Sequence, residues 1–129
     1  MKADQAQHVR RLAGERRKAH RAAASLDAAQ LHAVAELFDV LSEPSRLRIL
    51  QSLQDGPASV GELVDHSGFK QANVSKQLGI LLSAGVIARR QDGNRAIYSI
   101  AMPLVFDLCA LVCRGVAQHA AERAALLEV

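Results

Sequence analysis

The 129-residue chain is poor in aromatic side chains, with no tryptophan, one tyrosine and three phenylalanines. Proteins that bind single-stranded nucleic acid stack bases on aromatic side chains, so this scarcity argues against that class. The chain also has only two cysteines, which are too few for a scaffold held together by disulfides. We expect a cytoplasmic protein in which both thiols stay reduced.

No apolar run approaches the length needed to cross a bilayer, although half of the residues are hydrophobic. We therefore expect a globular protein without a membrane partner. Catalytic motifs are lacking as well. No nucleophile, base and orienting group stand at motif spacing, no phosphate-binding loop is present, and His66 and His119 are isolated. The sequence predicts that the protein is not an enzyme.

The net charge of +3 is unevenly distributed along the chain. Residues 1–32 contain seven basic and three acidic residues, and residues 66–98 contain five basic residues against Asp92 alone. Two basic segments on a nearly neutral body indicate a polyanionic partner. We interpret residues 1–26 as a basic N-terminal arm and residues 27–129 as the folded domain.

Apolar periodicity predicts two helices directly after the arm. The first begins after Asp27, a predicted N-cap, and the second begins at Pro44, a residue suited to a first helical position. In the second helix we expect Arg46 and Arg48 to point outward. Its core-facing residues are expected to be Leu47, Leu50 and Leu53.

The next segment has the pattern of a helix-turn-helix. Ser59 and Glu62 stand in the S-x-x-E spacing of a capping box, and Gly68 lies where a short helix would end. A further helix is predicted over residues 71–84, closed by Gly85. Two short helices joined by a tight turn, the second with a polar N-terminal half, are typical of this motif.

A hairpin and a long helix complete the pattern. The runs VIARRQ and RAIYSI are typical of strands, and the DGN between them predicts a tight hairpin. From Pro103 to about residue 126, apolar residues cover most of the circumference of a predicted helix. Such a helix needs a partner, and a second copy of the chain is the simplest one.

The segments LFDVLSEPSRLRILQSL, SVGELVDHSGFKQANVSKQLGILLSAGVI and RRQDGNRAIYSI resemble the ArsR/SmtB family of bacterial transcriptional repressors, over residues 34–115. The resemblance implies a mainly α fold with a small β-hairpin wing, a winged helix-turn-helix that dimerises through its terminal helices. It also implies a homodimeric repressor of double-stranded DNA, whose two recognition helices lie about 34 Å apart and read an inverted repeat. A dimerisation module without DNA binding is the alternative from another class, and it would leave the basic wing unexplained.

The chemistry of the second helix and of the wing suits DNA. Gln and Asn can bond bidentately to adenine, Lys can reach guanine, and a serine hydroxyl can bond a phosphate. Arginines of a wing would lie over the backbone or in the adjacent minor groove. The predicted DNA-contacting residues are Lys70, Gln71, Asn73, Ser75, Lys76, Gln77, Arg89, Arg90 and Arg95.

The two cysteines, Cys109 and Cys113, stand in DLCALVC at i and i+4, on one face of the last helix. Two thiolates at this spacing can chelate one soft ion, and Zn(II), Cd(II), Pb(II), Cu(I) and As(III) all accept sulfur. A third ligand would come from the partner chain, or from His8 or His20 of the arm. We therefore expect a repressor that a soft metal or metalloid releases from DNA.

The family's two familiar metal sites are not matched. Val64 stands where one of them would place a ligating cysteine. The positions of the other site hold residues that are not zinc ligands: Met102, Leu104, Gly115 and Gln118. Two alternatives stay open, namely a repressor that responds to thiol oxidation or persulfide, and a repressor whose cysteines only pack in the dimer interface.

Overall fold

The computed structural model describes the backbone of residues 2–23 and 25–127 and the side chains of residues 4–17 and 25–127. Its elements are, in chain order, α1 (Lys2–Ala23), α2 (Ala28–Leu41), α3 (Pro44–Gln54), β1 (Ala58–Ser59), α4 (Val60–Ser67), α5 (Gln71–Ser83), β2 (Ile87–Asp92), β3 (Arg95–Ile100) and α6 (Pro103–Leu127). The strands form one antiparallel sheet in the order β1-β3-β2. The fold is therefore mainly α with a small sheet, as predicted.

The chain forms two compact units, residues 1–36 and residues 37–129. The first contains α1 and most of α2. Asp27 caps α2, because its Oδ1 accepts from the backbone N–H of Gln30 at 2.8 Å while Gln30 Oε1 accepts from the backbone N–H of Asp27 at 3.0 Å. The predicted N-cap is confirmed, and the predicted division of the chain after residue 26 stays a prediction.

The core of the second unit lies beneath α4 and α5. Its largest fully buried side chains are Ile49, Leu50, Leu63, Val74, Leu78, Leu81, Val86 and Val105. These come from α3, both helices of the predicted helix-turn-helix, the segment before β2, and the start of α6. One apolar cluster thus fixes the orientation of the helix-turn-helix against α3 and α6.

Two predicted orientations in α3 are wrong. Leu47 is 37% exposed, and Arg46 is half-buried rather than outward-pointing. At about 100° per residue, position 46 lies on the same helical stripe as Leu50 and Leu53, whereas position 47 lies off it. Helix geometry therefore turns the arginine inward despite its charge, and its partners are described below.

The signals at the helix ends are confirmed. Pro44 lies in the first turn of α3. Ser59 and Glu62 form a capping box at α4, with the backbone N–H of Glu62 donating to Ser59 Oγ and the backbone N–H of Ser59 donating to Glu62 Oε1. Gly68 ends α4 in the left-handed conformation, with φ of 74°, a conformation that glycine adopts without strain.

The predicted hairpin forms, with its turn one residue later than the Asp-Gly signal suggests. Asp92 pairs with Arg95 in the ladder, so the two turn residues are Gly93 and Asn94. Gly93 has φ of 62°, which suits a glycine-first hairpin turn. The strand β1 was not predicted, because two residues show no alternation. It pairs with β3 through Ala58 and Tyr98.

The helix α6 is packed only at its start. Val105 and Cys109 are buried, and residues 111–127 are exposed. By length and composition alone, α6 would suffice to cross a membrane, so the expectation that no apolar stretch approaches this length is wrong. This criterion is weak evidence for a membrane, because core helices of soluble proteins also meet it.

Replacing Leu63 with Ala should destabilise the protein by about 2–5 kcal/mol, because the change leaves a cavity in a core that does not expose this side chain. Denaturant unfolding followed by circular dichroism at fixed protein concentration would measure the loss. Leu12→Ala is the matched control, since Leu12 is 38% exposed. Equal losses in the two variants would contradict the position of the core.

Candidate DNA interface

The burial of one side of α5 leaves its polar side to solvent. Val74, Leu78 and Leu81 are turned into the core. The exposed side and the preceding loop carry predicted DNA-contacting residues that could reach a major groove: Lys70, Gln71, Ser75 and Lys76. Two cations, an amide and a hydroxyl on one helical surface suit bonds to base edges and phosphates.

Two of the predicted contact residues lie deeper. Gln77 is only 6% exposed, and Asn73 is half-buried. The Oε1 atom of Gln77 accepts from Arg46 Nη1 at 3.1 Å, and its Nε2 atom donates to Asn73 Oδ1 at 3.0 Å. Because both ends of the Gln77 amide are engaged, the geometry favours a supporting role for Gln77 beneath the interface over a bond to a base.

Arg46 joins this network to the end of α2. Its Nε atom donates to the carbonyl oxygen of Val40 at 2.6 Å. The guanidinium therefore connects α2 with α5 through two hydrogen bonds, which offset the cost of its partial burial. Sequence reasoning missed this residue, because nothing local to α3 marks an arginine as the partner of a glutamine 31 positions away.

The wing presents two of its three predicted arginines freely. Arg89 and Arg90 are exposed on β2, and Arg89 makes only a long bond, 3.4 Å, to the Gln91 side chain among its described contacts. Two exposed guanidinium groups on a narrow ribbon beside α5 could neutralise DNA phosphates.

Arg95 instead forms a clasp with the N-terminus of α4. Its Nη2 atom donates to Glu62 Oε1 at 2.7 Å and to Ser59 Oγ at 3.0 Å. The hydrogen bonds from Ser59, and then the charge of Arg95, hold the pKa of Glu62 below its ordinary value of 4.5. The clasp of Ser59, Glu62 and Arg95 therefore ties the start of β3, beside the hairpin turn, to the first helix of the helix-turn-helix. A phosphate would have to compete with Glu62 for this arginine.

An apolar groove of about 370 Å³ lies on another part of the same unit, between the end of α2, α3 and α6. The residues that line it are Phe38, Leu41, Ser42, Leu47, Leu108, Cys109, Val112 and Cys113. Cys109 is buried and Cys113 is exposed. Burial raises the pKa of the Cys109 thiol, and the neighbouring Cys113 raises it further.

The two thiols could supply two ligands to a metal ion, but no third ligand lies near them among the described residues. Within the described part of the chain, no three His, Cys, Asp or Glu side chains are grouped so that they could hold a metal ion. His8, one predicted third ligand, lies in the first unit, where its ring contacts Arg11. The side chain of His20, the other, lies outside the described residues.

Comparison with known proteins places these features in a family context. Residues 43–89 match the model of the arsR family of bacterial regulatory proteins. An uncharacterized HTH-type transcriptional regulator of Mycobacterium tuberculosis is 45% identical over 95 residues, which cover 73% of this chain and 83% of that protein. A probable mercury resistance operon repressor of Streptomyces lividans is 37% identical over 87 residues, 67% of this chain and 70% of that protein.

A solved structure agrees with these matches. The solution structure of a homodimeric winged helix-turn-helix DNA-binding domain from Mycobacterium bovis superposes with a TM-score of 0.68 at 31% identity, over 77% of this chain and 94% of that domain. The helix-turn-helix of α4 and α5, and the wing of β2 and β3, therefore have counterparts of known fold.

When the pH falls, the free energy of unfolding should decrease less in the Glu62→Gln variant than in the wild type. Because the pKa of Glu62 is lowered in the folded protein, its stabilising contribution is complete above 4.5 and is lost as the pH falls from that value towards the folded-state pKa. The variant should be less stable than the wild type at pH 7, and the difference should shrink as the pH falls below 4.5. Urea unfolding across this range measures it.

The control is Glu122→Gln, because Glu122 is an exposed carboxylate on α6 that accepts one long bond from Gln118. This variant should retain the acid dependence of the wild type. A difference between Glu62→Gln and the wild type that stays constant across the whole pH range would contradict the clasp as described.

Proposed function

Because this chain belongs to the arsR family of bacterial regulatory proteins, we propose that it is a homodimeric repressor that binds an inverted-repeat operator and leaves it when a soft metal ion binds Cys109 and Cys113. The family and the relatives are transcriptional regulators with DNA-binding domains, and the chain is a regulator rather than an enzyme. The observation that carries the DNA part of the proposal is the exposed polar set at the start of α5, beside two exposed arginines of the wing. This set comprises Lys70, Gln71, Ser75 and Lys76.

The exposed apolar surface of α6 supports the homodimer. Leu111 and Val116 are each 64% exposed, and Leu126 and Leu127 are more exposed still. Apolar patches of this kind mark association sites. The related domain from Mycobacterium bovis is a homodimer. A second copy packed on α6 would cover this surface and explain a helix that is apolar on most sides.

A two-fold axis between copies would place the two α5 helices in successive major grooves. Their separation would then be about 34 Å, one turn of DNA, and the operator would be an inverted repeat. Each copy would contribute the exposed residues of α5 for readout and the wing arginines for the backbone. The basic residues of α1 would add phosphate contacts that carry no sequence information.

The chemistry of the groove supports a soft metal as the signal. A thiol whose pKa is raised is protonated at neutral pH, and a cation that binds sulfur displaces that proton and compensates the thiolate charge. The apolar lining limits competition from water. A relative named as a probable mercury resistance operon repressor adds Hg(II) to the candidates, beside Cd(II), Pb(II), Zn(II) and As(III).

The spacing of the two thiols ranks the metal above an oxidant, because an ion that binds both sulfurs is compensated for the proton that it displaces from Cys109. The thiolate is the form of cysteine that oxidants and persulfides attack, so a buried thiol with a raised pKa reacts slowly. Cys109 is therefore better suited to coordination, and Cys113, exposed at the mouth of the groove, would be the first sulfur to meet an arriving ion. A ligand from the second copy would complete the site.

Replacing Lys76 or Arg90 with Ala should weaken operator binding and lower its salt dependence. Each lost phosphate contact reduces the log–log salt slope by about 0.9, so a homodimer should lose about 1.8 per substitution. Fluorescence anisotropy at several salt concentrations measures the slope. Arg123→Ala, an exposed position near the end of α6, is the control and should keep the wild-type slope, whereas unchanged slopes for Lys76 and Arg90 would remove them from the interface.

Release from DNA tests the metal site. Reduced, metal-free protein bound to the DNA upstream of its own gene should dissociate when one of Hg(II), Cd(II), Pb(II), Zn(II) or As(III) is added, with an affinity loss of about 5- to 150-fold. Cys109→Ser and Cys113→Ser variants should bind the same DNA equally well and fail to respond. A polysulfide, added in parallel, tests the redox alternative.

Two results would contradict the sensing proposal. The first is a full response of the Cys109→Ser variant to every ion, and the second is a wild-type protein that ignores all of them while binding DNA tightly. In the second case the cysteines would be packing residues. Release by polysulfide alone would assign the thiols to redox sensing.

A further inference from the structure

The half-buried Arg46 of α3 sets the orientation of two amides on α5, those of Gln77 and Asn73. A guanidinium carries only hydrogen-bond donors and accepts nothing. The group of Gln77 that faces Arg46 Nη1 must therefore be the carbonyl oxygen Oε1, at 3.1 Å. The bond from Arg46 Nε to the carbonyl oxygen of Val40, at 2.6 Å, holds the guanidinium in place. Gln77 cannot reverse its amide without losing a bond that a nearly buried group needs.

The orientation of Gln77 in turn fixes Asn73. With Oε1 directed at Arg46, the amide nitrogen of Gln77 faces Asn73 and donates to its Oδ1 atom at 3.0 Å. A reversed Asn73 would set two N–H groups against each other. The oxygen and nitrogen of amides are often hard to tell apart, but here the donor-only chemistry of Arg46 determines both.

The free end of Asn73 is therefore its amide nitrogen. Among the hydrogen bonds of the described residues, Asn73 Nδ2 makes none, whereas Oδ1 already accepts one bond. Asn73 lies in the first turn of α5, between the exposed Gln71 and Ser75, and is half-buried. In a recognition helix this turn lies closest to the base edges.

We infer that Arg46 is a specificity-determining positioning residue, which acts through Gln77 to make Asn73 present a hydrogen-bond donor to DNA. This inference rests on the proposed reading of DNA by α5. In the major groove guanine offers two acceptors, N7 and O6, while cytosine offers only a donor, N4–H₂. The base opposite Asn73 is then guanine in preference to cytosine. The bidentate bond to adenine that asparagine often makes requires the oxygen and the nitrogen to face the base together, whereas here the oxygen is directed at Gln77 Nε2.

The test is to let the full-length protein select the sequences that it binds from a random library of DNA duplexes. Asn73→Ala identifies the base position that Asn73 reads, because the preference at that position should disappear. At this position the wild type should favour guanine over cytosine by about fivefold or more, the lower end of what one good base contact contributes.

Gln77→Glu should reverse this preference. The new carboxylate can only accept hydrogen bonds, so it pairs with Arg46 and requires Asn73 to turn its nitrogen inward and its oxygen outward. The favoured bases should then be those with a donor, cytosine or adenine. The Arg46 charge compensates the buried carboxylate, and circular dichroism checks that the variant is folded.

Asn73→Asp provides a second variant that does not disturb the core. An aspartate presents only acceptors, so the preference should again move to cytosine or adenine. If Asn73 instead presented its oxygen in the wild type, this substitution would leave the preference unchanged. Lys76→Ala is the control and should lower affinity without altering the base favoured at this position.

The outcomes separate the inference from the proposed function. A wild-type protein that enriches no sequence would defeat DNA readout by α5 and this inference with it. An enriched inverted repeat that Asn73→Ala leaves unchanged, a wild-type preference for cytosine at this position, or a folded Gln77→Glu protein with the wild-type preference would overturn the inference alone.

Discussion

The burial of one stripe of α5 is the constraint on which the rest of the site depends. Val74, Leu78 and Leu81 expose almost no surface, and together they fix the rotation of this helix about its axis. A rotation that exposed any of them would cost on the order of 2 kcal/mol per side chain. The exposed polar side chains, such as Gln71, Ser75 and Lys76, have no such apolar anchors of their own. Their position at the surface follows from the apolar contacts on the opposite side.

Two polar networks then fix positions that the apolar core alone does not determine, those of the wing and of the polar side chains on α5. The clasp of Ser59, Glu62 and Arg95 connects the start of β3, beside the hairpin turn, to α4. The chain of Arg46, Gln77 and Asn73 connects α3 to α5. In the first network the side chains of Glu62 and Arg95 are exposed, so solvent and salt weaken their ion pair. The second is partly buried, so each bond in it is costly to leave unmade. Salt should therefore weaken the link between the wing and α4 more than it weakens the arrangement of Gln77 and Asn73 on α5.

The sequence predicts the parts of this structure that local rules govern. The capping box, the glycine that ends α4 and the hairpin signal each depend on residues within four positions of one another, and all appear in the structure. The inward position of Arg46 follows from the helical period of α3, but a charged residue is expected at the surface, so the sequence predicted the opposite. The burial of Gln77 depends on a partner 31 positions away, which no local pattern encodes. The strand β1 exists only because β3 lies beside it.

In the proposed function, the position of the cysteines at the end of the packed part of α6 would link sensing to assembly. Cys109 is the last buried residue of this helix, and Cys113 is one turn further along, where the side chains become exposed. An ion that binds both sulfurs must span the boundary between the core of one chain and the surface that we assign to the second copy. Any shift that improves its coordination therefore also moves α6 against that surface. A coupling of about 1–3 kcal/mol between two sites is ordinary for such an arrangement. The end of α2 would connect the groove to α5 in such a mechanism, since Leu41 lines the groove and Val40, the residue before it, accepts the bond from Arg46.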